Sequence, residues 1–571
     1  MIALAADEAA SWRGIRRYAV PRWMIERATE HRLAGDWAAA CATANVRVAF
    51  DLAEAAAAYG ADVAAAVEED LRHLAPDLLR WHLPRLLGGR TTLEAGRTVL
   101  LSRHGDPHRP DVPHLQVTTP AMAYGPQRLT LRLRPAPDAG AAVMDWTTAR
   151  HLWDARYAGE LRERCGGGPD RAPFLHPDGT PRTTAELSAT DPGADDPAAR
   201  TEWLVLHYTA GDLEDAFAAA GIELDLTPPP TKHYWSAIDP LGALAALPLN
   251  LSRLKPEARR LADALGTDRL QIVHGWRSMV DLEIVSGGGL RVSVTERTSG
   301  PGGGIPKLPE ALWRLPADIA LLRAGGVEPR HLHPLVAASL LPGLPPAEGP
   351  VGPPGPTAPE PVRVRCRGEW HQVVSRDREL SMPHSEEERQ RERALRAFGG
   401  AVAGCFAAQQ VWTSGEGRLP RALRAQRQEL FLRAQHGDTP GVLELLDAGV
   451  DPKVRDGGRR TLLHMLPHLD HETLLPRLLS AGVDLEARDL LDRTPLLTAV
   501  AERGSRALVE ALVDAGARLD AVDSMELSVE QLLMQYQRTD LAFLKERLEE
   551  EHPGIGADWW EDFEGEEIED W

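Results

Sequence analysis

Apolar positions along the first part of the chain recur at helical spacing. From Pro21 to about Pro84, Trp23, Ile25 (or Met24), Ala28 and Leu33 follow one stripe, Pro21 suits a first helical turn, and Gly35-Asp36 forms a break at which Asp36 can cap the next helix. The alanine-rich stretch from Asp51 to Leu79 continues the pattern, so residues 1–90 are predicted to form a small helical bundle. After Arg90 the period shortens. LQVTT at Leu115–Thr119 and RLTLRLR at Arg128–Arg134 predict strands joined through a turn near Tyr124-Gly125-Pro126. Residues 162–200, rich in Gly, Pro, Asp and Thr, predict a long loop. WLVLHY, GDLEDAFAAAG and IELDL, between Trp203 and Leu226, predict strand, helix and strand, and VDLEIV and LRVSVTE around Gly287-Gly288-Gly289 predict a hairpin. Together these give residues 91–341 as a mixed α+β body.

Residues 342–361 hold nine prolines and four glycines, a composition that forms neither a helix nor a central strand, and they predict a semi-rigid linker. Residues 362–427 follow, with short strands over Val362–Met382 and one long helix opened by Ser385 and Glu386–Glu388 and running to about Trp412. From residue 428 a new beat begins. LLDAGVDP at Leu445–Pro452 returns as LLSAGVDL at Leu478–Leu485 and LVDAGARL at Leu512–Leu519, which spaces Gly449, Gly482 and Gly516 by 33 and 34 residues. TLLH at Thr461, TPLL at Thr494 and SVEQ at Ser528 keep the same phase. A repeat of this length cannot bury its apolar face alone, so copies must stack into one core.

These residues resemble ankyrin repeats, whose familiar unit reads roughly G-x-TPLHxAAxxGHxxxVxxLLxxGAD. The resemblance covers residues 428–551, about a fifth of the chain. Residues 428–456 look like a capping repeat, 461–489 and 494–523 like full repeats, and 528–551 like a closing half. Departures are Pro467 inside the first helix, Asp470 in place of the inter-helix glycine, and one extra residue before Gly504. The resemblance implies an all-α solenoid after an α+β multidomain body, and a protein partner bound at its loop tips. Those tips would be Arg455, Asp456, Arg459 and Arg460, then Arg488, Asp489, Asp492 and Arg493.

Composition narrows the rest. The net charge of −20 disfavours sequence-independent nucleic-acid binding. Five lysines against 59 arginines, with abundant Ala, Gly and Pro, suggest a GC-rich bacterial source. Cys41, Cys165, Cys366 and Cys405 lie far apart with no CxxC pair and predict isolated thiols in a reducing cytoplasm rather than a zinc ribbon or a disulfide framework. No apolar run is long enough for a signal peptide or a membrane span.

Candidate chemistry is sparse. His104, Asp106, His108, Asp111 and His114 fall within eleven residues and could share a divalent metal, but three prolines extend that segment and splay its side chains. GPGGGIPK at Gly300–Lys307 lacks the Gly-Lys-Ser/Thr of a phosphate loop. Residues 12–27 interleave Arg13, Arg16, Arg17, Arg22 and Arg27 with Trp12, Tyr18 and Trp23, whereas residues 558–571 in the acidic tail 552–571 hold eight acids with Trp559 and Trp560. Head and tail could dock on each other, with Trp559 and Trp560 also open to a partner. The expectation is therefore an adaptor, scaffold or regulatory protein without a cofactor. The alternative is an enzyme or effector with its active site in the body, for example a hydrolase using His104, Asp106 and His108, targeted by the repeats.

Overall fold

A computed structural model of the chain describes residues 4–105, 111–137, 142–229, 238–274, 278–297, 304–399 and 402–552. Residues up to 354, apart from 124–127, form one compact unit, and the residues from 355 onward belong to a second. The boundary falls inside the Pro/Gly-rich segment. Among the described residues the architecture is mixed α and β, with two sheets in the first unit and one in the second.

In the first unit, β1 (Val46–Val48), β2 (Thr98–Arg103), β3 (Pro113–Thr118), β4 (Leu129–Pro135) and β5 (Val143–Asp145) form a sheet of order β1-β4-β3-β2-β5. Strand β3 pairs antiparallel with both β2 and β4, and the two edge strands β1 and β5 pair in parallel with β4 and β2. Register sets Leu115 against Leu133 and Val117 against Leu131, which sends Leu115, Val117, Leu129 and Leu131 into the core. A second sheet of order β6-β9-β8-β7 uses β6 (Ile222–Asp225), β7 (Arg269–His274), β8 (Ser278–Val285) and β9 (Gly289–Glu296). Ile15, Leu71, Trp81, Trp146, Leu261 and Val292 belong to one continuous core, so the helices before residue 90 and the strand-bearing body are a single folded unit.

One element departs from the pattern reading. WLVLHY is helical, within helix Pro197–Ala210. Asp196 caps that helix through the Ala199 N–H at 2.9 Å and Pro197 opens it, while Thr201, Leu204, Val205 and Tyr208 supply a buried stripe at helical spacing. The short run of β-branched and aromatic residues was too brief to outweigh a cap lying seven residues upstream.

One residue of the basic-aromatic head, Arg16, is paired within the first unit. Arg16 lies buried in helix Ala6–Tyr18, where its Nε and Nη2 donate to both carboxylate oxygens of Asp318 at 2.7 and 2.9 Å and its Nη1 donates to the Trp81 carbonyl at 2.8 Å. Its guanidinium also stacks between Trp12 and Trp81. That charge is satisfied within the first unit. Residues 558–571, with Trp559 and Trp560, lie outside the described residues.

In the second unit β10 (Val362–Cys366), β11 (Glu369–Arg376) and β12 (Glu379–Ser381) form an antiparallel meander. The expected single helix to Trp412 is two helices, Glu386–Ala397 and Gly404–Ser414, with Gly399 at φ +80° past the end of the first and Gly404 at φ +62° opening the second. Four helical pairs follow: Arg421–Gln435 with Thr439–Asp447, a 3₁₀ turn Leu466–His468 with His471–Ser480, Pro495–Ala501 with Arg506–Asp514, and Val529–Gln535 with Ala542–Glu551. Pro467 accounts for the 3₁₀ turn in the second pair, since it has no N–H for a helical ladder. Asp438, Asp470 and Ser505 accept a backbone N–H at the start of successive second helices. Gly449, Gly482 and Gly516 end those helices at φ +94°, +73° and +94°. Leu445, Leu446, Leu478, Leu512 and Val513 share one core with Val362, Cys366 and Trp412 of the preceding sheet and helix.

His464 locks the 3₁₀ segment. Its Nδ1 accepts from the Thr461 N–H at 3.1 Å, and its Nε2–H donates to the Arg493 carbonyl in the next pair at 3.0 Å. Burial pushes its pKa down to about 4, against smaller opposing effects of the Arg493 carbonyl and Asp489.

Two outcomes follow. Arg16→Met leaves Asp318 buried and unpaired and should cost about 3–5 kcal/mol in urea unfolding of the first unit; adding Asp318→Leu should recover most of that loss, and a double variant no more stable than the single one would contradict the pairing. For His464, the unfolded chain takes up a proton near pH ~6.5 while the folded chain resists until about pH 4. Stability from this residue is therefore full above pH ~6.5 and declines as pH falls toward 4, by on the order of 3 kcal/mol. His464→Gln should flatten that part of the profile relative to wild type; parallel profiles would refute the linkage.

Candidate metal centre and loop surface

Four side chains far apart in sequence converge in the second unit. Cys366 ends β10, His371 lies on β11, His384 follows β12, and Cys405 sits in the first turn of helix Gly404–Ser414. The hairpin register pairs Cys366 with Glu369 and Val364 with His371, which places Cys366 and His371 on one face of the sheet. The ligand atoms of all four lie within 4.8 Å of one another. His371 Nδ1 is 3.2 Å from His384 Nε2 and 3.6 Å from Cys405 Sγ, and Cys366 Sγ is 3.7 Å from His384 Nε2.

These three separations match edges of a tetrahedron around a single ion. With metal–sulfur bonds of about 2.3 Å and metal–nitrogen bonds of about 2.0–2.1 Å at the tetrahedral angle, N···N edges are about 3.4 Å and S···N edges about 3.6 Å. Two thiolates and two imidazoles select zinc among common divalent ions, and four protein ligands leave no position for a substrate, which is the arrangement of a structural centre.

The surroundings support the same reading. Cys366, His384 and Cys405 are buried, and the His384 ring also packs on Phe406 at 4.6 Å between centroids. On its far side, His384 Nδ1 faces Glu388 Oε2 at 3.4 Å, and the same oxygen accepts the Ser385 N–H at 3.0 Å. The Ser385 N–H, followed by the His384 ring, holds the Glu388 carboxyl below its usual value, so the acceptor that orients the imidazole stays ionised. Burial, and then the neighbouring Cys366 sulfur, push the Cys405 thiol up to about 12. A divalent cation reverses that balance because it binds both sulfurs as thiolates. Position 404 must be glycine: a Cβ there would lie 2.6 Å from Cys366 Sγ and 2.8 Å from its Cα.

The centre is tied to the helical pairs. Helix Gly404–Ser414 carries Cys405 at its start, and near its end the Trp412 carbonyl accepts the Arg455 N–H at 3.0 Å. From the sheet, Ser375 Oγ accepts the Asp451 N–H at 3.1 Å and the Arg378 N–H reaches the Gly449 carbonyl at 3.3 Å.

The expected tip residues mostly build the loops themselves. Asp456, Asp489 and Asp523 repeat one motif, in which Oδ1 accepts the N–H groups two and four residues on at 2.8–3.1 Å. Arg459 and Asp492 adopt positive φ at equivalent turns. Arg455 Nη1 donates to the Arg488 carbonyl and Arg488 Nη1 to the Val522 carbonyl, linking one loop to the next. Arg460 pairs with Glu502 at 2.8 Å and Arg493 with Asp523 at 3.2 Å. Beside the exposed Asp492 and Glu526, the tips also expose large apolar side chains, Leu490 at 60%, Leu491 at 47% and Met525 at 73%.

Among the described residues, His104, of the expected set His104, Asp106 and His108, belongs to no group with metal-ligand geometry. Its Nε2 lies 2.8 Å from Ser102 Oγ and 3.3 Å from Asp70 Oδ2, while His114 Nδ1 turns to the Val112 carbonyl. Asp106 and His108 lie outside the described residues. Burial works to raise the Asp70 pKa, but hydrogen bonds from His104 and Ser102 and the charge of Arg150 outweigh it and hold the carboxyl below its usual value. Ser102 and Asp70 meet the same ring nitrogen, whereas a nucleophile relay needs them on opposite nitrogens. Among the described residues, the Cys366, His371, His384 and Cys405 set is the group with ligand geometry, and the expectation of isolated thiols fails for Cys366 and Cys405. No protein-family model matches the chain, and comparison with curated proteins finds no match.

Purified full-length protein should contain one zinc per chain. Cys366→Ser or Cys405→Ser should reduce it to background and destabilise the second unit by on the order of 3 kcal/mol or more. Stoichiometric zinc retained by Cys405→Ser would contradict the ligand set.

Proposed function

We propose that the chain is an interaction protein whose second unit is an ankyrin-like array with a zinc-stapled cap, recruiting a protein partner through its loop tips as an adaptor, scaffold or regulator. The observation that carries this reading is the exposure of Leu490, Leu491 and Met525 on loops that are otherwise internally satisfied. Large apolar side chains at the ends of rigid loops are anchor residues for a partner's apolar surface, while the hydrogen-bonded aspartates beneath them keep their backbones ordered before binding. Repeat arrays need a polar or otherwise closed end, and the β10–β12 meander with its four ligands supplies one ahead of the first helical pair. Four free cysteines, two of them placed as thiolate ligands, fit a reducing cytoplasm. Among the described residues, no helix is long and apolar enough to cross a membrane.

The test compares immobilised full-length wild type with the Leu490→Asp, Leu491→Asp, Met525→Asp triple variant. A retained protein should crosslink to the 490, 491 and 525 loops, and its retention should fall at least ~10-fold for the variant at unchanged thermal stability. Equal retention by both chains would contradict this reading.

A further inference from the structure

The β10–β12 meander has two faces of opposite character. On one, Val362, Val364, Cys366, Val373 and Ser375 are buried. The alternate residues form an open outer face, on which Arg363 and Arg365 of β10 and Trp370, Gln372 and Arg376 of β11 are all exposed. Register sets Arg365 opposite Trp370 and Arg363 opposite Gln372. Cζ of Arg363 lies 5.0 Å from the centre of the Trp370 ring, yet that residue remains 57% exposed. Arg376 has Glu379 opposite it on β12, and Arg367, at the turn, pairs with Glu392. Among the described residues Arg363 and Arg365 have no carboxylate partner, so the unbalanced charge of this face sits beside the open indole.

Two guanidinium groups beside an exposed indole are complementary to a strand that carries carboxylates and aromatic rings. Arg363 and Arg365 stand two residues apart, about 6.6 Å along the strand. Residues 558–571 of this chain have the matching chemistry, with eight acids, no base, and Trp559, Trp560, Phe563 and Trp571. Within them Asp562, Glu564 and Glu566 recur at the same two-residue spacing. Length permits the approach. The described residues end at His552, just past the fourth helical pair; three steps of about 8–10 Å separate the first pair from the fourth, whereas residues 553–564 extend to about 40 Å. The tether holds the tail at an effective concentration on the order of millimolar, at which a few exposed charge pairs suffice. The net charge of −20 works against a free polyanion such as nucleic acid, which has no tether.

We propose that the outer face of the meander is the docking site of the chain's own acidic tail, with the alternate carboxylates of residues 562–566 on Arg363 and Arg365 and an aromatic ring of the tail against Trp370. The docked tail covers the side of the sheet opposite Cys366 and His371, so the four ligands take no part in it. The inference is independent of the partner-binding reading at residues 490, 491 and 525.

The test places the photocrosslinker p-benzoylphenylalanine at position 372, on the outer face beside Trp370, in the full-length chain, and maps the products by mass spectrometry on a mixture of isotope-labelled and unlabelled protein. Crosslinks should join position 372 to residues 553–571 of the same chain. Arg363→Glu with Arg365→Glu should lower their yield at least ~10-fold at unchanged thermal stability, because both side chains are exposed. Asp562→Lys, Glu564→Lys and Glu566→Lys, added to that pair, should restore the yield. Crosslinks that join two chains, an added oligothymidylate captured in place of the tail, no capture of residues 553–571, or a yield unchanged by Arg363→Glu with Arg365→Glu would each overturn the proposal.

Discussion

The second unit depends on how closely residue 404 approaches Cys366. A side chain at that position would overlap the Cys366 sulfur, so only glycine lets helix Gly404–Ser414 bring Cys405 against the end of β10. Once that approach is made, two sulfurs and the His384 imidazole are buried beside the half-buried His371 ring, so most of the set is poorly solvated. Two sulfurs beside two ring nitrogens, with the Cys405 thiol pushed up in pKa, form a poor core, while the same atoms around a divalent cation form a strong one. The consequence runs along the chain: the helix that carries Cys405 also holds the first loop through the Trp412 carbonyl, and the meander holds the turn at Gly449 and Asp451. A metal that fixes the meander thus fixes the end of the stack on which the later loops are built.

The first unit solves its packing with arginine. Arg16 joins Asp318 across 302 residues of sequence, Arg164 meets Glu257 at 2.7 Å, and Arg182 meets Glu202 at 2.7 Å, each acid fully buried. A planar guanidinium can hold both oxygens of a carboxylate and still stack on an aromatic face, as Arg16 does between Trp12 and Trp81. The strong preference for arginine over lysine in the composition is therefore structural at these positions, whatever its origin in codon supply. Arg85 is the exception, being buried like the others yet donating, among the described residues, only to the Arg80 carbonyl.

Much of the second unit was legible in the sequence because its signals are local and periodic. The glycine beat at 449, 482 and 516, the TPLL helix start at Thr494, and the strands of 362–382 all depend on neighbours a few residues away. The metal centre was hidden because its ligands are spaced without a CxxC pair and meet only through sheet register and a helix start some 20 residues on. A cysteine and a histidine flanking the Arg367-Gly368 turn was the one available clue. The structural part of the charged loop residues was hidden for a related reason: their pattern looks like solvated polarity, yet Asp456 and Asp489 each turn one carboxylate oxygen on their own backbone. In the first unit, WLVLHY reads as a strand only while its distant cap is ignored.

The most direct measurement is X-ray absorption at the zinc edge on the purified full-length chain. The account predicts one zinc per chain with a first shell of two sulfurs at about 2.3 Å and two imidazole nitrogens at about 2.0–2.1 Å. Protein from zinc-replete expression that carries no zinc, or zinc in a shell of oxygen and nitrogen without sulfur, would contradict it.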